Sequence, residues 1–236
     1  MFMSAPEPSV VYRYKNGLYV NLTNSCSTAC IFCIKNAWKM DYHGSSLDLA
    51  GLEPSPEEIL ALAGREWTAA PFEEFVFCGF GEPTMRLDAL LAAARLIKTG
   101  QAAPLPRTLR IRLNTNGLAN AVWGRDVVPE LKGLIDSVHV SLNTADPAQW
   151  ADLMRPRPAW AAGGFEKVKE FIRAAARALP ETVATAIEGN GADLDKFRAL
   201  AAELGATPRI RGQLADGSAR EEKTPPPAAA PGGAKP

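Results

Sequence analysis

Residues Thr108–Asn114 read TLRIRLN. Leu109, Ile111 and Leu113 share one parity and Arg110, Arg112 and Asn114 the other, the pattern of a strand with one apolar and one polar face. The run stops at Thr115-Asn116-Gly117, a turn signal. Asp136–Asn143 (DSVHVSLN) repeats the alternation, with Val138, Val140 and Leu142 opposite His139, Ser141 and Asn143. Working outward, Leu18–Thr23 (LYVNLT), Glu74–Gly79 (EFVFCG), Thr182–Ile187 and Thr207–Arg211 supply four further strands. Helical stretches separate them. Ser55-Pro56-Glu57-Glu58 is a capped start with proline at the first helical position, and apolar spacing continues to about Trp67. Arg86–Lys98, Phe165–Leu179 and Ala192–Leu204 are amphipathic, and Val127–Leu134 is a shorter helix. This alternation predicts βαβ units and a parallel sheet of the α/β class, either an open doubly wound sheet or an incomplete (βα)6 barrel of the TIM type. In both, chemistry gathers at the carboxyl ends of the strands. The polar and glycine-rich segments sit there in four consecutive units, which makes one contiguous site.

The chain has 236 residues, 26 basic and 26 acidic, with 47% hydrophobic and 22% charged side chains. That is globular composition, and zero net charge argues against a broad electrostatic grip on nucleic acid or an anionic membrane. Met1–Val11 lacks a basic region followed by an apolar run, so no signal peptide is expected, and no stretch approaches the roughly 20 apolar residues of a membrane span. A cytoplasmic location is the expectation. From Leu214 to Pro236, Pro, Gly and Ala supply 14 of 23 residues and no aromatic occurs. Residues 1–213 are therefore read as one domain and 214–236 as a disordered tail.

Three of the four cysteines, Cys26, Cys30 and Cys33, fall within eight positions. Bridging such close neighbours would stabilise little, so they read as ligands of a metal or cluster in a reducing compartment. Spacings of x3 and x2 let a short loop wrap three corners of a cubane cluster, leaving the fourth iron an open position. Zinc with Cys78 or His43 as fourth ligand is the rival, but zinc sites favour a second cysteine pair downstream, which is lacking here. Cys78 itself reads as a buried strand residue.

The loop follows a strand and carries Phe32 just before its last cysteine, and here the chain resembles the radical S-adenosylmethionine (SAM) superfamily. Tyr19-Val-Asn-Leu-Thr-Asn-Ser-Cys26, Phe77-Cys-Gly-Phe-Gly-Glu-Pro-Thr84, Leu113-Asn-Thr-Asn-Gly117, Gly124-Arg-Asp126 and Ser141-Leu-Asn143 occur in that order. Together they are similar to the TatD-associated radical SAM proteins, from about Tyr12 to Arg211. The resemblance implies a partial (βα)6 barrel and a [4Fe-4S] cluster on Cys26, Cys30 and Cys33. It also implies reductive cleavage of SAM to methionine and a 5′-deoxyadenosyl radical, which abstracts hydrogen from a substrate. Gly79, Gly81 and Glu82 match the motif that receives the SAM amino group, with Phe80 inserted. Asn114 and Ser141 match contacts to its ribose and carboxylate, and Phe32 and Asn143 complete the expected cofactor set. The family link implies an electron donor protein such as a flavodoxin or ferredoxin, and a connection to a TatD-type nuclease.

Rival readings are a non-catalytic iron-sulfur or zinc module, and a radical SAM enzyme that modifies nucleotides or RNA. Parity adds one expectation about the substrate. Arg110 and Arg112 share a face with Asn114, and Arg209 and Arg211 share a face on the last strand. Guanidinium groups turned into a barrel need anions, and Arg favours carboxylate or phosphate. An anionic small substrate held by Arg110, Arg112 and Arg211 is expected.

Overall fold

The computed structural model describes residues 8–37, 40–42 and 45–212. His43 and the tail from Leu214 lie outside the described residues. Nine strands are present among them: β1 (Val11–Tyr14), β2 (Gly17–Val20), β3 (Asp41–Tyr42), β4 (Ser45–Ser46), β5 (Glu74–Phe77), β6 (Arg110–Thr115), β7 (Ser137–Ser141), β8 (Glu181–Ile187) and β9 (Thr207–Arg211). β3 and β4 pair as a small hairpin, and the other seven form one sheet in the order β1-β2-β5-β6-β7-β8-β9. All neighbours in it are parallel except β1 with β2.

The six parallel strands are adjacent in chain order, with no reversal. A doubly wound sheet needs a point where strand order reverses, so that alternative is removed. With right-handed crossovers, sequential order keeps the helices on one face. Ile111, Leu113, Val138 and Val140 are fully buried on that face, in one core with Ile59, Leu90, Phe171 and Phe197 of the helices. The opposite parity, including Tyr19, Arg112, Asn114, His139 and Ser141, faces a cavity that also takes Arg209 and Arg211 from β9. Residues of both edge strands, β1 and β9, line this one cavity on the same face, so the sheet is curled.

The expected helices form within a few residues of their predicted bounds. In Pro56–Ala69 the Ser55 hydroxyl accepts from the Glu58 amide at 3.2 Å, and the Glu58 carboxylate accepts from the Ser55 amide at 2.8 Å. These bonds satisfy donors that an open helix end leaves bare. At its other end Arg13 of β1 donates to the Glu66 and Ala70 carbonyls, both at 2.6 Å.

β1 and the helix Pro147–Met154 are additions to the expected pattern. β1 folds back onto β2 through the turn at Lys15 and Asn16, which brings Tyr12 and Tyr14 beside Tyr19.

Behind β5 the chain passes close to the end of β2. A Cβ on Gly79 would stand 2.1 Å from the Asn21 side-chain oxygen, and one on Gly81 would stand 2.0 Å from the Thr23 carbonyl. These glycines let one strand tip close against another. Gly81→Ala is expected to cost roughly 2–3 kcal/mol through overpacking against fixed backbone. Urea unfolding measures it, and an unchanged midpoint would contradict this account of the contact.

Candidate functional site

The cysteine loop is held from two sides. Along one side it pairs with the end of the helix Pro147–Met154 and the chain after it: Ala29 donates to the Arg155 carbonyl at 2.9 Å, Ile31 to that of Leu153 at 3.0 Å, and Arg157 to that of Ser27 at 2.9 Å. On its inner side Asn116 donates to the Ser27 hydroxyl at 2.8 Å. The Thr28 hydroxyl lies 3.3 Å from both Cys26 Sγ and Cys30 Sγ. All four cysteines are free thiols. Burial raises the Cys26 thiol, and pushes that of Cys30 up to about 12. Iron ligation requires the thiolate, so binding releases protons from these groups.

The second strand tip brings in Glu82, which is 3% exposed. One carboxylate oxygen accepts from the Thr84 amide at 3.1 Å, the Thr84 hydroxyl at 2.7 Å and the Thr115 hydroxyl at 2.8 Å. The other accepts from the Asn116 amide at 2.7 Å. Burial raises the carboxyl above its ordinary range, and these bonds oppose the rise. Acceptor capacity remains on the second oxygen.

Cys26, Cys30, Cys33, Phe32, Gly79, Gly81, Glu82, Asn114 and Ser141 all line one cavity of about 280 Å³ at the carboxyl ends of the strands. Asn114 Oδ1 is buried there without a hydrogen-bond partner. Cys78 also lines the cavity; burial raises its thiol, and a hydrogen bond from Asn114 opposes the rise.

Two expected site residues fall elsewhere. Asn143 is buried outside the cavity lining, with φ of 65°, and donates to Met154 Sδ at 3.2 Å. The left-handed backbone breaks the alternation that had placed it with His139 and Ser141. Arg110 has the expected parity but the wrong depth. It stands about 13 Å from Asn114 along the strand, at the amino end. There it is paired with Glu74 at 2.8 Å and Glu181 at 2.6 Å. Arg112 does line the cavity, yet it is engaged by Glu74 at 3.2 Å and the Tyr19 hydroxyl at 2.8 Å. Arg209 and Arg211 line it from β9.

Sequence reasoning missed Thr28, Asn116, Met154 and the tyrosines. The hairpin carrying Tyr12 and Tyr14 had a signal in Asn16-Gly17. The contact between Met154 and the cysteine loop joins residues far apart in sequence and had none.

With this geometry established, comparison with known proteins identifies the class. The sequence signature of the Radical SAM superfamily matches residues 20–204, and the chain belongs to that superfamily. It is 29% identical over 166 residues to the GTP 3',8-cyclase of Photorhabdus laumondii subsp. laumondii, a match covering 64% of this chain and 44% of that protein. The fold is similar to Streptococcus suis SuiB bound to its precursor peptide SuiA, with a TM-score of 0.61, 13% identity, and coverage of 86% of this chain and 40% of that one. It is also similar to methylornithine synthase (PylB), with a TM-score of 0.54, 13% identity, and coverage of 88% and 58%. The chain thus spans less than half the length of the curated relative. Among the described residues no helix is long and apolar enough to cross a membrane.

Membership implies a [4Fe-4S] cluster and SAM as cofactors. The residues present fit both. Among the described residues no three Cys, His, Asp or Glu side chains converge as ligands of a single ion would. The three thiols nevertheless line the one cavity, and ligands of a cluster sit on separate irons rather than converging on one ion. The partnerless Asn114 oxygen suits a hydroxyl donor such as a ribose.

His139, buried in the cavity lining, makes folding stability depend on pH. Burial holds its imidazole down to about 3, assisted by Arg112, Arg209 and Arg110, while Glu181 lies 4.0 Å away. A folded value below the unfolded one means this contribution is complete above about pH 6.5 and is lost as pH falls toward 3. Relative to His139→Gln, the wild type should lose about 1 kcal/mol per pH unit below pH 6. Urea unfolding at pH 7, 6 and 5 reads the difference, and parallel curves would contradict a buried neutral imidazole.

Proposed function

We propose that this protein holds one [4Fe-4S] cluster on Cys26, Cys30 and Cys33, binds SAM beside it, and acts on an anionic small substrate. The observation that carries the reading is the gathering of these thiols with Glu82, Asn114 and Ser141 in one cavity at the strand tips. The curled sheet is read as the superfamily's partial barrel, with residues 1–213 as its domain. When bound, the two cofactors supply reductive cleavage of SAM to methionine and a 5′-deoxyadenosyl radical.

The chain's own residues bind and orient. Glu82 offers its second oxygen to an ammonium group, Asn114 its free oxygen to a hydroxyl, and the Ser141 hydroxyl serves the carboxylate. Phe32 and Met154 present apolar surface beside the thiols and limit water there. The charge of Arg112, Arg209 and Arg211 favours a carboxylate or phosphate on the substrate. Similarity to an enzyme named for GTP is in keeping with an anion. The reductant is read as a small electron-transfer protein of the flavodoxin or ferredoxin kind, the location as cytoplasmic, and the branch as the TatD-associated one, on the motifs quoted above.

After anaerobic reconstitution, SAM and dithionite should yield 5′-deoxyadenosine; intact SAM would leave the non-catalytic module in its place. Ala at Cys26, Cys30 or Cys33 should abolish the cluster's visible absorption, whereas Cys78→Ala should retain it. Loss of iron in Cys78→Ala would point to a four-cysteine site. Asn114→Ala should keep its iron and bind SAM at least tenfold more weakly, measured by equilibrium dialysis; undiminished binding would remove Asn114 from the SAM site.

A further inference from the structure

We propose that Arg209 anchors the acidic group of a substrate whose planar ring lies against the wall built by Tyr12, Tyr14, Tyr19 and Tyr42. This rests on the function proposed above and narrows its substrate to ring-bearing anions. Three arginines line the cavity, and Arg112 is already held by Glu74 and Tyr19. The only carboxylate in the described lining is Glu82, and it already accepts four hydrogen bonds. Arg209, paired in register with Thr185 of β8, makes no ion pair among the described residues. The imidazole of His139, held neutral by burial and by the arginines around it, adds no second positive charge to the cavity. A guanidinium so placed matches a carboxylate or phosphate through paired hydrogen bonds.

The tyrosine wall supplies the second half. Tyr12 meets Tyr19 and Tyr42 with ring centroids 5.4 Å apart in each case, and Tyr14 meets Tyr19 at 5.4 Å and Tyr42 at 6.1 Å. The four rings close a quadrangle, and all of them line the cavity. The Tyr12 hydroxyl donates to the Cys78 carbonyl at 3.1 Å and that of Tyr19 accepts from Arg112, so two of the rings are fixed at their polar ends. The helix-packed core lies on the other face of the sheet, so core filling does not require these rings. Preorganised aromatic surface and an unpaired cation lining the same cavity recognise a planar ring bearing an acid.

Isothermal titration calorimetry on the reconstituted full chain tests this, with phenyl phosphate, guanosine 5′-monophosphate and indole-3-acetate each set beside inorganic phosphate. At least one ring-bearing anion should bind tenfold or more tightly than inorganic phosphate. Arg209→Gln should weaken that ligand at least tenfold and change SAM affinity less than twofold, and Tyr14→Ser should bring it toward the level of inorganic phosphate. If Arg209→Gln does not fold, Arg209→Lys keeps the charge without the two-pronged geometry and should still lose at least threefold. Ring-bearing anions no tighter than inorganic phosphate, an indifferent Arg209 variant, or loss of SAM affinity in that variant would each overturn the assignment. Titrations with and without SAM separate the two readings: a wild type that bound the anion but not SAM would sink the enzyme and keep this site.

Discussion

Glu82 sits at the junction of three strand tips, and its hydrogen bonds decide whether they form one site. Its carboxylate gathers donors from Thr84 behind β5 and from Thr115 and Asn116 at the end of β6. Its own amide donates to the Ser25 carbonyl at 2.9 Å, inside the segment that leads to Cys26. Asn116 closes the ring by donating to Ser27. A buried carboxylate without partners costs several kcal/mol, so all these donors must be supplied together. The tips after β2, β5 and β6 therefore form as a unit, and the cysteine loop is placed by the same bonds that neutralise the cost of burying the acid. Gly79 and Gly81 complete the arrangement, because a side chain at either would prevent the approach.

The opposite end of the sheet has a different chemistry. Glu74 and Glu181 pair with Arg110, and Glu74 also meets Arg112. These ion pairs close the cavity at the amino ends of the strands and use up the charge placed there. Nearer the carboxyl ends, Arg209 of β9 lines the cavity without an ion pair among the described residues. Polarity along a strand thus separates a salt-linked floor from a binding surface, although both carry arginines of the same parity.

Much of this was legible in the sequence. Alternation in β6 and β7 assigned the buried face at Ile111, Leu113, Val138 and Val140 and the cavity face at Arg112, Asn114, His139 and Ser141. The capped start at Ser55 and the full span of β9 also formed as expected. Parity failed for Arg110 because it carries no information about depth, and for Asn143 because a positive φ turned the side chain out of register. Composition and spacing could identify the cysteine loop but not what braces it. Its contacts with Asn116 and with residues 153–157 depend on long-range packing that no local pattern encodes.

The claim that three cysteines hold a cluster with one iron left open to SAM is tested most directly by electron paramagnetic resonance. The reconstituted, reduced protein should give the signal of a reduced [4Fe-4S] cluster, and its g values should shift when SAM is added, because an open iron changes its ligands. A signal indifferent to saturating SAM, or iron content and spectra of an isolated ion, would contradict the account.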